Sequence, residues 1–132
     1  MGLDMNMYAA EKEITDLEQL WEERDLPCWY WRKANAIHKW MVDNVQSGKD
    51  DCGLYEVYPN HLIRLKEDVV KVLGNPKKAD KILPTSAGFF FGSTDYDDWY
   101  MDDLHDTLKY VTEMLTLSES NPQTKFYYYA SW

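Results

Sequence analysis

Apolar positions recur along this chain at two different spacings, and their succession predicts a mixed fold. Leu3, Met5 and Met7 alternate with Asp4, Asn6 and Tyr8, so Met1 to Ala9 reads as a half-buried strand. Glu11 to Asp25 is strongly acidic, with Leu17, Leu20 and Trp21 on one side. It reads as a short amphipathic helix or an acidic loop, ended by Pro27. From Cys28 or Trp29 to Gln46 the spacing is helical, with Tyr30, Ala34, Ile37, Met41 and Val45 as the core stripe and Gly48 as the stop. Asp50 to Gly53 is a turn and Leu54 to Tyr58 a short strand.

Pro59 or Asn60 opens a second helix, with Leu62, Leu65, Val69 and Val72 on one face and Gly74 at its end. A basic loop, Asn75 to Lys81, leads past Pro84 to a short buried strand, Phe89-Phe90-Phe91, which breaks at Gly92. The third helix is expected from about Tyr96 to Leu117, on a stripe of Met101, Leu104, Leu108, Val111 and Leu115. Ser93, Thr94 or Asp95 would cap it. Asn121-Pro122 breaks that helix, and Lys125 to Trp132 is an aromatic strand. The sum is an α+β fold: three helices packed on a small, mostly antiparallel sheet of about four strands, in a single domain over residues 1–132.

Composition narrows the function classes. Aromatic residues make up 15% of the chain, including six Trp and ten Tyr. That exceeds what a core of this size needs and points to pockets or interfaces. With 23 acids against 14 bases the net charge is −9, which repels phosphate backbones at long range and argues against general nucleic-acid binding. A small anionic ligand remains compatible, because a few local donors override a weak global field. Cys28 and Cys52 have neither the spacing of a zinc site nor a CxxC pairing, and read as free thiols. No apolar run approaches the roughly 20 residues of a membrane span, and no secretion signal is visible. A cytoplasmic protein with no membrane association is expected.

Two segments hold the candidate chemistry. On the first helix, Trp31, Asn35 and His38 fall together at the edge of the core stripe, with Arg32 and Lys39 one step toward solvent. An aromatic, an amide, an imidazole and cations together can stack a planar ring, read its polar edge and hold a phosphate. The same residues could equally satisfy buried backbone groups and pair with nearby acids. Trp40 projects from the opposite, polar side of that helix beside Lys33 and Asn44, which suits a protein contact. In the second segment, Gly92, Ser93 and Thr94 form a strand–glycine–hydroxyl–helix junction that could bind an oxyanion, with Tyr96, Trp99 or Tyr100 as a stacking wall. It could also be a plain turn and cap. The acids Asp95, Asp97, Asp98, Asp102 and Asp103 lack the glycine and terminal Glu of a calcium loop, so no metal site is expected, and no cofactor. His61 and His105 are isolated histidines, and no motif of a known catalytic class is present.

Over nearly its whole length the chain resembles a family of small uncharacterised proteins of bacteriophages and prophages. The matching pieces are MGLDM at Met1 to Met5, YWRKANAIHKW at Tyr30 to Trp40, DNVQSGKDDCG at Asp43 to Gly53, and GFFFGSTDYDDWY at Gly88 to Tyr100. Met41 departs from the pattern, in which a Phe often follows the helix Trp. The resemblance implies context: small phage-encoded proteins of the host cytoplasm often act against host defence, some as oligomers that trap nucleotide signals.

The expected function is therefore sequestration of a nucleotide-derived ligand, with Trp31, Arg32, Asn35 and His38 facing the Gly92–Thr94 turn across a pocket. A homo-oligomer is expected through Trp40 and the tail residues Tyr127, Tyr128, Tyr129 and Trp132. Two other readings stand beside it. One is an acidic inhibitor that binds a host protein through the third helix. The other is a small nucleotide hydrolase with His38 as general base and an acid from Asp95 to Asp103.

Overall fold

A computed structural model describes residues 2–88 and 91–132. Four strands form one antiparallel sheet: β1 (Asp4–Ala10), β2 (Cys28–Arg32), β3 (Leu54–Val57) and β4 (Lys125–Ser131), in the order β2-β1-β4-β3. The C-terminal strand thus lies in the middle, paired along its length with the N-terminal one. Period-two patterning sets the two faces. Met5 and Met7 of β1, Trp31 of β2, Val57 of β3 and Phe126, Tyr128 and Ala130 of β4 all point into one buried layer.

Three long helices cover that layer: α2 (Asn35–Asn44), α3 (Pro59–Gly74) and α5 (Asp98–Ser120). Two short ones add to the expected three, α1 (Leu17–Glu22) and α4 (Ala79–Ile82). Helix α3 buries Leu62, Leu65, Val69 and Val72, the four residues of its predicted stripe, and packs along α5. On the other face of the sheet, α1 is capped by Asp16 and carries Leu20 onto Tyr127 in a second, smaller cluster with Ala10 and Ile14. Trp21 stands edge-on to Tyr129, ring centroids 5.7 Å apart.

Several expectations are corrected. Cys28 to Arg32 is a strand rather than the start of a helix. Trp29 and Trp31 turn to the helical layer, while Cys28, Tyr30 and Arg32 turn away, and Tyr30 is 45% exposed instead of part of the core. The break falls at Lys33, whose φ of 55° lies in the left-handed region and ends the strand before α2 begins. A helical wheel run across that break mixes two geometries. Trp40, expected at the surface, is 5% exposed because α3 lies over it, and its indole N–H donates to Asp68 at 2.8 Å. Tyr127 and Tyr128 are buried in the sheet as well, so they offer no surface for self-association.

Of the triple phenylalanine, Phe89 and Phe90 lie outside the described residues. Phe91 is buried but belongs to no strand; its ring stands edge-on to His38 and Trp132. Helix α5 begins at Asp98, capped by Asp97, so five residues separate its first turn from Gly92. Its buried line is Tyr100, Leu104, Thr107, Val111 and Met114, which takes in Leu104 and Val111 of the predicted stripe, while Met101, Leu108 and Leu115 are half-buried beside it and pack against the core.

One polar chain crosses the core. The His38 ring lies between Asp50, 2.8 Å from Nε2, and the Tyr128 hydroxyl, 2.7 Å from Nδ1. Burial, and then the Asp50 charge, push the Tyr128 phenol well above the usual tyrosine range, so it keeps its proton. Nε2 thus pairs with the Asp50 carboxylate and Nδ1 with the Tyr128 hydroxyl, so both ring nitrogens have a partner. Tyr128→Phe should strand Nδ1 in the core and cost about 1–3 kcal/mol, read as a lower urea midpoint with an unchanged slope. An unaltered midpoint would mean that the bond adds nothing to stability.

Candidate functional site

The two segments singled out in the sequence meet at the end of the sheet where β2 passes into α2. Asn35, in the first turn of α2, fastens them. Its side-chain N–H groups donate to the carbonyls of Phe91 at 3.2 Å and Ser93 at 2.8 Å, and its Oδ1 accepts from the Ser86 amide at 3.0 Å. The amide is buried and its hydrogen-bonding capacity is largely spent on the backbone, so it is a positioning residue. Gly92 is required there twice over. Its φ is +89°, and a Cβ would come 3.1 Å from Cβ of Lys33, so the glycine lets the loop lie against the lysine stem.

Between them lies an open cavity of about 380 Å³. Its floor is Ala34, Ala36, Ile37 and Leu104, its polar wall Thr85, Asn35 and Ser93, and its far side the first turns of α5, with Trp99, Tyr100 and Asp103. Lys33 and Arg32 bring two cations, and Asp95, Asp97 and Asp103 bring three carboxyls. Among the described residues the Lys33 ammonium has no ion-pair or hydrogen-bond partner, whereas the Arg32 guanidinium lies 3.9 Å from Asp4, whose carboxylate also accepts from the Tyr30 hydroxyl. Lys33 is therefore the freer cation. Trp99, 78% exposed, stands at the rim.

Five of the nine residues expected to bind ligand line this cavity: Arg32, Asn35, Gly92, Ser93 and Tyr100. Four do not. Trp31 is buried beneath it, its indole N–H donating to Thr107 at 2.9 Å and its ring edge-on to Tyr110. His38 is sealed in the core with both ring nitrogens bonded, which removes it as a general base for anything bound in the cavity. The Thr94 carbonyl accepts from the Thr85 hydroxyl, and Tyr96 packs on Tyr100 while its hydroxyl accepts from the Thr85 amide. These last two shape the loop. The Ser93 hydroxyl is likewise occupied, accepting from the Asp95 amide at 3.0 Å. With α5 starting at Asp98, the Gly92–Thr94 turn is no helix N-terminus, and the oxyanion role expected from that junction loses its helix dipole.

Sequence reading missed Lys33 and Thr85 as lining residues, whereas it named Trp99 as one alternative for a stacking wall and Asp103 among the acids before and within α5. Trp99 and Asp103 are four residues apart, so one helix side carries both. Asp103 has no cation or hydrogen-bond donor on its carboxyl among the described residues. Burial, then Asp106, Asp102 and Asp97, push it up to about 7. Burial also raises the Tyr100 phenol, whose hydroxyl donates to the Leu83 carbonyl at 2.8 Å.

Among the described residues, no helix is long and apolar enough to cross a membrane, and no three His, Cys, Asp or Glu side chains are grouped to hold a metal ion. The fold and cavity define an α+β domain with an open pocket, largely apolar in its lining, at one sheet end. No protein-family model, curated protein or solved structure matches the chain.

Two measurements test this description. Asn35→Ala removes three hydrogen bonds and should cost about 2–4 kcal/mol while speeding amide exchange selectively in residues 85–88 and 91–93; uniform exchange would contradict the fastening role. For Asp103, the folded state holds a proton that the unfolded chain releases between the ordinary value of 3.8 and about 7, so stability should fall as pH rises across that range. Asp103→Asn should flatten this slope and, after allowing for solvent screening, add about 1 kcal/mol at pH 8. A parallel pH profile for the two proteins would contradict the shifted carboxyl.

Proposed function

We propose that this chain binds and sequesters a small nucleotide-derived ligand without turning it over, as a phage-encoded accessory protein of the host cytoplasm that blunts a nucleotide-based defence. The observation that carries the reading is the convergence of the Arg32–Asn35 and Gly92–Tyr100 segments, 57 or more residues apart in the chain, on one cavity. Its volume of about 380 Å³ lies at the lower end of the range of roughly 300–1,000 Å³ typical of ligand pockets, which suits a single nucleotide and not a polymer. Lys33 offers a point charge for phosphate, and Trp99 and Tyr100 offer rings for a base.

The cavity's charge limits the ligand further. Three carboxyls face two cations, inside a chain of net charge −9. A triphosphate would be repelled, whereas a monophosphate or cyclic phosphodiester needs only Lys33 and a few hydrogen bonds. All four segments that carry the phage-family resemblance also come together around this end of the fold: Leu3 accepts from the Lys33 amide, Asp50 holds His38, and Asn35 holds Ser93.

A second reading keeps one observation of its own. Trp99 stands out at 78% exposure beside Asp98, Asp102 and Asp106 on the wet side of α5, the arrangement of an acidic surface docking a basic host protein. Self-association would in either case use the outer sheet face, where Tyr30 and Trp21 are exposed.

A thermal-shift screen of cyclic and linear nucleotides on the wild type, Lys33→Ala and Arg32→Ala separates these readings. A ligand at a hundredfold its Kd should add about 2.7 kcal/mol of apparent stability, and Lys33→Ala should lose most of it while Arg32→Ala loses less. If no nucleotide moves the melting curve, sequestration fails and the acidic surface becomes the site to pursue.

A further inference from the structure

The two edges of the sheet differ in what they offer a neighbour. In an antiparallel ladder, successive residues turn their backbone N–H and C=O groups alternately to one side and the other. The Ala9 amide donates to Pro27 and the Lys33 amide to Leu3, so Pro27, Trp29, Trp31 and Lys33 face β1. Cys28, Tyr30 and Arg32 therefore turn three N–H and three C=O groups outward, and among the described residues none of these groups is bonded. By the same alternation β3, one residue shorter, turns only Leu54 and Glu56 outward. A short edge carrying a charge is protected against further pairing. β2 lacks that protection, because its one charge, Arg32, is answered by Asp4 beside it on β1.

We propose that β2 is a docking edge for a second copy of this chain, the two β2 strands pairing antiparallel about a twofold axis at Tyr30. The strand itself selects that register. With Tyr30 opposite Tyr30 of the second copy, Cys28 meets Arg32 at both ends, and every outward N–H and C=O finds a partner. A slide of two residues either way loses one of the three bonded pairs. A slide of four sets Arg32 against Arg32, or Cys28 against Cys28.

The side chains agree with the backbone. Cys28, Tyr30 and Arg32 share the outer face, where Tyr30 pairs with its copy and each Arg32 keeps Asp4 on its other side, so no like charges oppose. On the helical face the half-buried Trp29 comes opposite Trp31 of the second copy, aromatic against aromatic. One Arg beside one Asp leaves the edge close to neutral, so charge draws neither a basic nor an acidic partner to it. What it offers is a strand that complements itself, as a twofold contact requires.

Beneath β2, α5 sets Tyr110 against Trp31 and Glu113 against Trp29. Two copies thus bring acids and two net charges of −9 together, across an edge of only five residues. So small an interface gives a concentration-dependent dimer, and screening of the repulsion makes it tighten with salt. The pairing is independent of what the cavity binds.

Sedimentation equilibrium on the full chain tests it. The mass should rise with concentration from the 15.7 kDa of one chain toward twice that value, and sooner in about 0.5 M than in about 0.05 M salt. Tyr30→Pro deletes an outward N–H and leaves the bonds to β1 in place, so it should weaken the dimer by about tenfold or more. Tyr30→Lys keeps a donor for Asp4 but sets Lys against Lys across the axis, and should weaken it similarly even where the proline variant fails to fold. The register is read by cross-linking. In a Cys28→Ser background, Tyr30→Cys should give a disulfide-linked dimer on mild oxidation, since directly opposed bonded residues lie about 5.5 Å apart at Cα. Wild type, with Cys28 against Arg32, should not. A chain that stays monomeric up to about 1 mM overturns the proposal. So does a dimer indifferent to both Tyr30 substitutions, one cross-linked in wild type through Cys28, or one lost equally in Trp21→Ala, which places the contact on the outer face and not at the edge.

Discussion

The whole architecture depends on one pairing: the last strand enters the middle of the sheet. β4 is bonded to β1 on one side and β3 on the other, so β3 has no place in the sheet until residues 125–131 arrive. The same strand supplies Phe126, Tyr128 and Ala130 to the helical layer and Tyr127 to the opposite face. Contacts between residues as far apart as Asp4 and Ser131 thus close the fold, which puts loop closure ahead of much of the core. The Tyr128–His38–Asp50 chain extends that pairing sideways, joining the central strand to α2 and to the loop before β3.

A second constraint, local in effect, builds the cavity. Asn35 could have been a ligand-binding amide, yet its bonds reach the backbone of a loop that has little regular structure of its own. A loop of that kind needs partners for its amides and carbonyls, and a buried side-chain amide supplies both kinds at once. Gly92 and Lys33 then fit each other: both sit at positive φ, one where side chains are absent and one where the lysine stem fills the space a Cβ would take. The open volume above them is what remains after the loop has been tied down.

The electrostatics of that volume are unusual for a protein proposed to hold phosphate. Acids crowd the first turns of α5, where the helix dipole welcomes them, but the dipole fades within a turn and leaves Asp103 with only like charges and partial burial. A proton on Asp103 relieves this. The cavity therefore holds a cation at Lys33 and, at Asp103, a carboxyl whose charge changes with pH.

How much was legible beforehand follows from the range of the interactions involved. Helix α3 is legible to its ends and buried face because its stripe, opening Pro and closing Gly are all local; β1 shows its period of two directly, and β3 and β4 show a strand-forming composition. The stretch CWYWRKANAIHKW satisfies both periods, so only its tertiary neighbours decided the outcome: β1 drew Cys28–Arg32 into the sheet, and Lys33 took the left-handed turn that separates strand from helix. Likewise the types of residue that would line a site (a cation, an amide, a glycine hinge, aromatic rings) were visible in the chain, but their inward or outward direction was not. Trp40 and His38 vanished into the core because α3 and β4 cover them, and Lys33 and Asp103 joined the cavity because a loop more than fifty residues away folds back over the start of α2. Composition and periodicity act along the chain; what a side chain faces is set by packing between elements far apart in it.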